Sequence, residues 1–190
     1  KFVDRTFNAK ERHCNEILSF IKENYGGSIP AGVCFHFEIA GDILKESTLT
    51  LLSQMPKGAV QLEIGMQSFN EQTLAAVNRK TDSQKLQANI RKLLSFGNMH
   101  VHIDLIAGLT GEDLKSFEKS FDIGYNLHAH MLQMGFLKVL KGSYMEEHKD
   151  EIQARQEAMW KQQQERALER QRRAYQRQLR REERKRNKQR

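Results

Sequence analysis

The sequence is poor in cysteine and has no long apolar run. Cys14 and Cys34 are its only two cysteines in 190 residues, and their spacing matches no CxxC pair or disulfide framework. No apolar stretch approaches the ~18 residues that a membrane span requires, and no signal peptide is visible. These features predict a cytoplasmic protein in which both thiols are reduced, buried and inert.

Several common catalytic signatures are also missing. The sequence has no HExxH motif, no Ser/His/Asp arrangement and no paired carboxylates at a clear catalytic spacing. Gly65 and Gly108 are isolated glycines, which is too little for a phosphate loop such as GxGxxG. The motifs therefore identify no catalytic residue and predict no metal ligand.

Charge is distributed unevenly along the chain. Residues 1–150 hold 17 Lys and Arg against 18 Asp and Glu, a net of −1, whereas residues 151–190 hold 14 against 6, a net of +8. The tail also lacks Gly and Pro and is rich in Gln, Arg, Glu and Lys, which predicts a charged, basic helix over residues 150–190. A solvated extension, a nucleic-acid contact and a protein contact are all compatible with such a helix.

Residues 1–149 alternate between two kinds of pattern. Short apolar, β-branched or aromatic runs alternate with amphipathic stretches, at the ~30-residue interval that is typical of βαβ units in a parallel sheet. The predicted strands are residues 2–7, 33–39, 59–66, 100–106 and 131–137, and the predicted helices are 10–25, 42–55, 83–96 and 112–125. The fold class is therefore α/β, and the spacing leaves open an open doubly wound sheet or part of a (β/α) barrel.

Polar residues recur on one face of the predicted strands. They alternate with apolar residues, so each strand would direct its polar side chains to the same side. Ionisable groups on a parallel sheet are costly unless they are paired, which favours a barrel lumen or a ligand crevice over an internally satisfied polar network. The residues concerned are His36, Glu38, Glu63, Gly65, Gln67, His100, His102 and Asp104.

Residues 1–149 resemble radical S-adenosylmethionine (SAM) enzymes. The sequence 67-QSFN-70, followed by Leu74 and Arg79, and the sequence 104-DLIAGL-109 resemble oxygen-independent coproporphyrinogen III oxidases. The resemblance is closer still to cobalamin-binding-domain radical SAM proteins. Four further stretches support it, namely 2-FVDRTFN-8, 35-FHFEI-39, 63-EIGMQS-68 and 132-LQMGFLK-138.

The resemblance implies a fold and a set of SAM-binding residues. The fold would be a partial (β/α) TIM-type barrel of about five parallel strands. Glu38, Gln67 and Arg79 would contact SAM, with Arg79 suited to a carboxylate. Asp104 would lie on the ribose side, and the segment from Ile106 to Gly108 would lie against adenine. The family's catalytic groups and substrate cannot be assigned from these residues.

Two departures from the family pattern affect the functional expectation. Thr110 stands where the family usually has proline. The CxxxCxxC motif, whose cysteines hold a [4Fe–4S] cluster that cleaves SAM reductively, is absent.

The chain also begins without Met inside an apolar run, so we expect a truncated or processed chain. We expect the chain to be inactive alone and to be the SAM-binding part of a parent enzyme. The parent would perform methyl transfer or another radical modification, either with or without cobalamin bound by an upstream domain. The alternative is a non-catalytic α/β interaction module with a basic tail.

Overall fold

The computed structural model of the protein describes residues 2–139, 141–142, 144–154, 157–158, 161, 165, 169 and 173. The chain divides into two compact units, Lys1–Lys138 and Val139–Arg190. The first unit contains the sheet and the residues that the sequence singles out as a site. In the described part of the chain, no helix has the length and apolar character that crossing a bilayer would require.

The first unit is built on one parallel sheet of four strands. The strands lie side by side in the order in which they occur along the chain, and all three pairings are parallel. This confirms the predicted α/β class and the parallel sheet. The strands are β1 (Phe35–Ile39), β2 (Val60–Gln67), β3 (His100–Ala107) and β4 (Met131–Phe136).

Helices connect the strands, and local signals fix several of their ends. Asp82 accepts a hydrogen bond from the amide of Lys85 and begins one helix, and Gly97 ends the same helix in the left-handed conformation. The helices are α1 (Glu11–Asn24), α2 (Glu46–Ser53), α3 (Glu71–Ala76), α4 (Ser83–Phe96), α5 (Leu114–Tyr125) and α6 (Tyr144–Glu147), with short 3₁₀ turns at Phe7–Ala9 and Gly41–Ile43. The short helix α3 has no counterpart among the predicted helices.

The apolar residues of the strands and helices form a core on one face of the sheet. Phe37, Leu62 and Ile103 are almost fully buried there. The helices contribute their apolar stripes to the same core, and burying each large side chain contributes about 1.5–3 kcal/mol. The helical members include Cys14, Leu18, Ile21, Leu49, Leu52, Leu86, Ile90 and Leu93.

The predicted first strand, residues 2–7, is not a strand in the structure. The Phe2 amide donates to the carbonyl of His36 in β1 at 3.0 Å, but the segment then bends into the 3₁₀ turn. The Asn8 side chain pairs with both backbone groups of Ala40, at 2.8 and 2.9 Å, and so replaces a ladder of backbone hydrogen bonds. The sheet therefore has four strands in the described residues, where the sequence predicted about five.

The two cysteines lie in different environments. Cys14 is buried on α1, and burial, reinforced by Glu11, raises the pKa of its thiol to about 12. Cys34 immediately precedes β1 and is exposed. The prediction of a buried, inert thiol is confirmed for Cys14 and wrong for Cys34, because β1 begins only at Phe35, after the first residues of its apolar run.

The second unit contains α6 and further helical residues. Residues 149–154 are helical, as are the separately described residues 157, 158, 161, 165, 169 and 173. Arg173 and Glu169 form an ion pair of 2.6 Å at the i, i+4 spacing of a helix. The remaining residues of the basic helix predicted over 150–190 lie outside the described residues.

Candidate functional site

The face of the sheet opposite the helices carries the polar residues that alternate with the core residues. The register between neighbouring strands places these polar residues in rows across the sheet. Glu38 lies beside Glu63, which lies beside His102. One row nearer the carboxyl ends, Gly65 lies beside Asp104, which lies beside Gln133. The alternation in the sequence thus predicts this polar face correctly.

Gln67 and Arg79 converge over Gly65. The Arg79 guanidinium donates through Nη2 to the Gly65 carbonyl at 2.8 Å. A side chain at Gly65 would occupy the space that the end of the Gln67 side chain takes, and it would touch Arg79 at an ordinary van der Waals distance. Gln67 itself lies at a bulge with a φ of 65°. These two residues, one at the end of β2 and one beyond α3, therefore share one corner of the polar face.

Arg79 is half-buried, and its environment affects its charge. Burial lowers the pKa of the guanidinium, and the charge of Asp42 opposes that change. Asp42 lies just beyond the carboxyl end of β1 and accepts a hydrogen bond from the Asp82 amide. Since arginine has five N–H donors in a planar fork, the bond to Gly65 leaves donors for a carboxylate.

Asp104 is a carboxylate of this face whose pKa is raised. Burial raises its pKa from the ordinary value of 3.8, and His102 opposes that rise. Glu63 raises the pKa further through its charge and a hydrogen bond, and the charge of Glu38 acts in the same direction. Burial and two neighbouring carboxyl groups therefore disfavour ionisation of Asp104, which identifies it as a candidate functional group.

Two histidines partner these carboxylates. His36 Nε2 lies 2.7 Å from Glu63 Oε2 in a hydrogen bond. His102 Nε2 lies 3.0 Å from Asp104 Oδ1, but the two groups are not aligned for a hydrogen bond, and both atoms are buried without a hydrogen-bond partner in the described residues. The pair is therefore an electrostatic contact rather than a hydrogen bond, because alignment decides the strength of the bond.

A third histidine lies nearer the amino ends of the strands. Burial lowers the pKa of His100, and the charges of His130, His102 and His36 lower it further. The His100 and His130 rings lie 5.0 Å apart, and His130 Nδ1 accepts the Val101 amide. In the described residues, no group of three or more His, Cys, Asp or Glu side chains is arranged to hold a metal ion.

The last two predicted site residues lie at the carboxyl end of β3. Ile106 is half-buried and lies beside Gly135 of β4. Gly108 follows the strand with a φ of 86° and has open space where a side chain would lie. The structure thus brings Glu38, Gln67, Arg79 and Asp104 to one region, with Ile106 and Gly108 further along the same strand edge.

A buried network connects the loops that follow β2 and β3. The Ser68 hydroxyl donates to Glu112 Oε1 at 2.5 Å, and Ser120 accepts the Phe69 amide at 2.9 Å. Burial raises the pKa of Glu112, and hydrogen bonds from Ser68 and Ser120 oppose that rise. Because Ser68 directly follows Gln67, this network fixes the loop that positions the Gln67 side chain.

Sequence reasoning misses part of this site. It places Glu63, His36 and His102 on the polar face without assigning them a role, and it gives no signal for Glu112. The effect of Glu63 on the pKa of Asp104 is hidden in the sequence, because only the strand register brings these distant residues onto neighbouring strands of one face. The sequence feature that could have identified these residues is the alternation of polar and apolar positions along the strands.

Comparison with solved structures identifies the fold. The chain is similar to the radical SAM methyltransferase TsrM from Kitasatospora setae, bound to cobalamin and a [4Fe–4S] cluster, with a TM-score of 0.63 and 15% identity over 75% of this chain and 28% of that one. A second TsrM structure, with tryptophan substrate and the SAM analogue aza-SAM, gives 0.59 and 15% over 70% and 26%. Coproporphyrinogen III oxidase (HemN) from Escherichia coli, described as a radical SAM enzyme, gives 0.56 and 22% over 69% and 29%.

The fold defines an α/β protein whose parallel sheet is similar to part of the barrel in these radical SAM enzymes. The particular proteins it is similar to are TsrM and HemN, and the chain spans between a quarter and a third of their length. No protein-family model and no curated protein matches the sequence. The resemblance seen in the sequence is therefore supported by the fold.

The described residues fit SAM and do not fit an iron–sulfur cluster. Gln67 Oε1 and Asp104 Oδ1 are buried acceptors without a hydrogen-bond partner in the described part of the chain, and SAM supplies hydroxyl and ammonium donors. The chain's two cysteines, in contrast, are one buried thiol on α1 and one exposed thiol before β1. They do not form the three-thiolate set that such a cluster requires.

Proposed function

We propose that the carboxyl-terminal edge of β1–β3 forms part of the SAM-binding site of a radical SAM enzyme. The observation that carries the proposal is a pair of buried acceptor atoms, on Gln67 and Asp104, that have no hydrogen-bond partner among the described residues. The Arg79 guanidinium is bonded to Gly65, the residue in register with Asp104. Buried polar groups are nearly always hydrogen-bonded in folded proteins. A ligand with several donors and a carboxylate would satisfy all three side chains.

The proposed contacts follow from the chemistry of each side chain. The Asp104 and Glu38 carboxylates would accept hydrogen bonds from the ribose hydroxyls or the ammonium group of SAM. The remaining N–H groups of Arg79 would hold the SAM carboxylate. Ile106 would pack against adenine, and the open space at Gly108 would let the ligand approach the backbone.

For the longer protein that would contain this chain, we propose reductive cleavage of SAM. A [4Fe–4S] cluster supplies the electron for that cleavage when bound, and its ligands would come from outside this chain. Methyl transfer or another radical modification would follow, with cobalamin in a further domain as a second cofactor. The chain on its own would bind SAM weakly without cleaving it. Sequencing the coding DNA upstream of Lys1 tests this part, since a frame without CxxxCxxC would contradict it.

The SAM site can be tested by equilibrium dialysis of the 190-residue chain with labelled SAM. We expect Gln67→Ala and Asp104→Ala each to weaken SAM binding by about tenfold, because each removes a hydrogen bond to a polar or charged ligand group worth roughly 1–2 kcal/mol. Gln61→Ala is the matched control, since Gln61 lies on the same face of β2 nearer its amino end. It should bind SAM as the wild type does.

Two results would contradict the proposal. Unchanged SAM affinity in Gln67→Ala and Asp104→Ala would mean that the ligand does not contact this corner. Tighter binding of ATP than of SAM, in the same dialysis, would mean that the polar face accepts a different ribose-containing ligand.

A further inference from the structure

Glu112 connects the two loops that flank the proposed SAM site. Its Oε1 accepts a hydrogen bond from the Ser68 hydroxyl at 2.5 Å, and Ser120 Oγ lies 3.4 Å from the same oxygen. Ser68 directly follows Gln67 at the end of β2, whereas Ser120 lies on α5. One carboxyl oxygen therefore joins the loop after β2 to the segment after β3.

A tight turn places Glu112 just beyond the end of β3. The Glu112 amide donates to the Leu109 carbonyl at 3.1 Å and closes this turn. Gly108, the residue before the turn, is one of the residues predicted to lie against SAM. Glu112 is therefore attached directly to a second segment of the proposed site.

Further hydrogen bonds hold the loop after β2 against α5. Ser120 Oγ accepts the Phe69 amide at 2.9 Å, and Ser68 Oγ accepts the Asn70 amide at 3.0 Å. The Asn70 side chain donates to the Ser116 hydroxyl at 2.8 Å. Because Ser68 and Ser120 are almost fully buried, their hydrogen bonds are shielded from water.

Gln67 requires such support because of its backbone conformation. Its φ of 65° lies in the left-handed region, which residues other than glycine rarely adopt. This conformation costs free energy and persists only where the surrounding contacts hold it. The hydrogen bonds of Ser68, the next residue along the chain, supply such contacts.

Burial of the Glu112 carboxyl group opposes folding. Its Oε2 is buried without a hydrogen-bond partner in the described residues, and burial raises the pKa of the group. Hydrogen bonds from Ser68 and Ser120 oppose that rise in pKa. The bridge between the loops therefore compensates for part of the cost of burying this carboxyl group.

We propose that Glu112 is a positioning residue that ties the loop after β2 to the loop after β3 and thereby holds Gln67 in the orientation that binds SAM. Its carboxyl group acts through Ser68 and does not itself touch the ligand. This inference rests on the proposed function, because it assumes that Gln67 contacts SAM.

The test compares variants of the full chain by equilibrium dialysis with labelled SAM and by amide hydrogen exchange without ligand. Glu112→Ala removes the bridge, so SAM should bind about tenfold more weakly, and the Phe69 and Asn70 amides should exchange about tenfold faster. Glu112→Gln keeps an oxygen that accepts the Ser68 hydroxyl, so it should restore both properties.

Asp113→Ala is the matched control, because Asp113 is the neighbouring carboxylate. It accepts the Ser116 amide at 2.8 Å, so its hydrogen bond stays within the start of α5. Its loss should lower the stability of the helix start while leaving SAM affinity and the exchange of both loop amides unchanged. Circular dichroism checks that each variant is folded. If Glu112→Ala does not fold, Ser68→Ala takes its place, since it removes the donor of the bridge.

The outcomes separate the positioning role from the proposed function. Weaker SAM binding and faster exchange in Glu112→Ala, both restored in Glu112→Gln, would support the positioning role. Unchanged SAM affinity or unchanged exchange in Glu112→Ala, no restoration in Glu112→Gln, or an equal loss in Asp113→Ala would overturn it. Absence of SAM binding in the wild type, with the exchange of the loop amides altered as expected, would refute the proposed function. The connection between the loops would then stand, and its role toward SAM would be refuted.

Discussion

The two faces of the sheet are built from alternate residues of the same strands and have opposite chemistry. The face under the helices contains fully buried apolar side chains, such as Phe37 and Ile64. The other face contains half-buried ionisable and polar groups, and among the described residues Gln67 and Asp104 carry atoms there without a hydrogen-bond partner. The first face stabilises the fold, whereas the second opposes it. Perturbed ionisable groups of this kind are concentrated at functional sites.

The largest effect on the free energy of unfolding should come from truncating a buried side chain of the apolar face. Phe37→Ala should lower the free energy of unfolding by about 3–5 kcal/mol, because it leaves a cavity beside the stacked ring of Phe7. Urea denaturation measures the change. Phe20→Ala is the matched control, since Phe20 is 60% exposed on α1 and should change stability by no more than about 0.5 kcal/mol. Equal losses in the two variants would contradict the assignment of the core.

Replacing a carboxylate on the polar face should change the free energy of unfolding in the opposite direction. Because burial and Glu63 raise the pKa of Asp104, the folded chain holds this proton more tightly than the unfolded chain does. The contribution of Asp104 to stability is therefore full below its ordinary pKa of 3.8 and is lost as the pH rises through the raised pKa. Asp104→Asn should stabilise the chain by about 0.5–2 kcal/mol at neutral pH while weakening SAM binding.

Thermal unfolding of the wild type and Asp104→Asn between about pH 4 and pH 7.5 measures this difference. The advantage of the variant should grow as the pH rises. A variant that is less stable than the wild type at neutral pH would show that Asp104 stabilises the fold, and the contrast between the two faces would then fail for this residue.

The smallest expected effect concerns the two cysteines, of which one is buried in the apolar core and the other is exposed. Ellman's reagent should modify one thiol per folded chain, because Cys34 is exposed while burial raises the pKa of Cys14 to about 12. Both should react in denaturant. Cys34→Ser should abolish the native reaction, and Cys14→Ser should leave it intact. Rapid reaction of two thiols in the folded chain would place Cys14 outside the core.

The sequence predicted the helix-covered face better than it predicted the site. The strands β1–β4 and the helix α4 follow their apolar periodicities, which are local properties. The segment 2–7 has a strand-like composition but bends, because the Asn8 side chain takes over the pairing with Ala40. The effect of Glu63 on the pKa of Asp104 and the hydrogen bond from Ser68 to Glu112 depend on strand register and loop docking, and no local pattern encodes either of them. The six predicted SAM-binding residues came from the family resemblance and remain predictions.

The central claim is that a SAM molecule binds at the carboxyl-terminal edge of the polar face. A ¹H–¹⁵N NMR titration of the ¹⁵N-labelled chain with SAM tests it most directly. We expect the largest shifts at Gly65, the Gln67 amides and residues 104–108, with little change at Gly26 and Gly58. Shifts that are absent at saturating SAM, or that are largest among residues outside this edge, would contradict it.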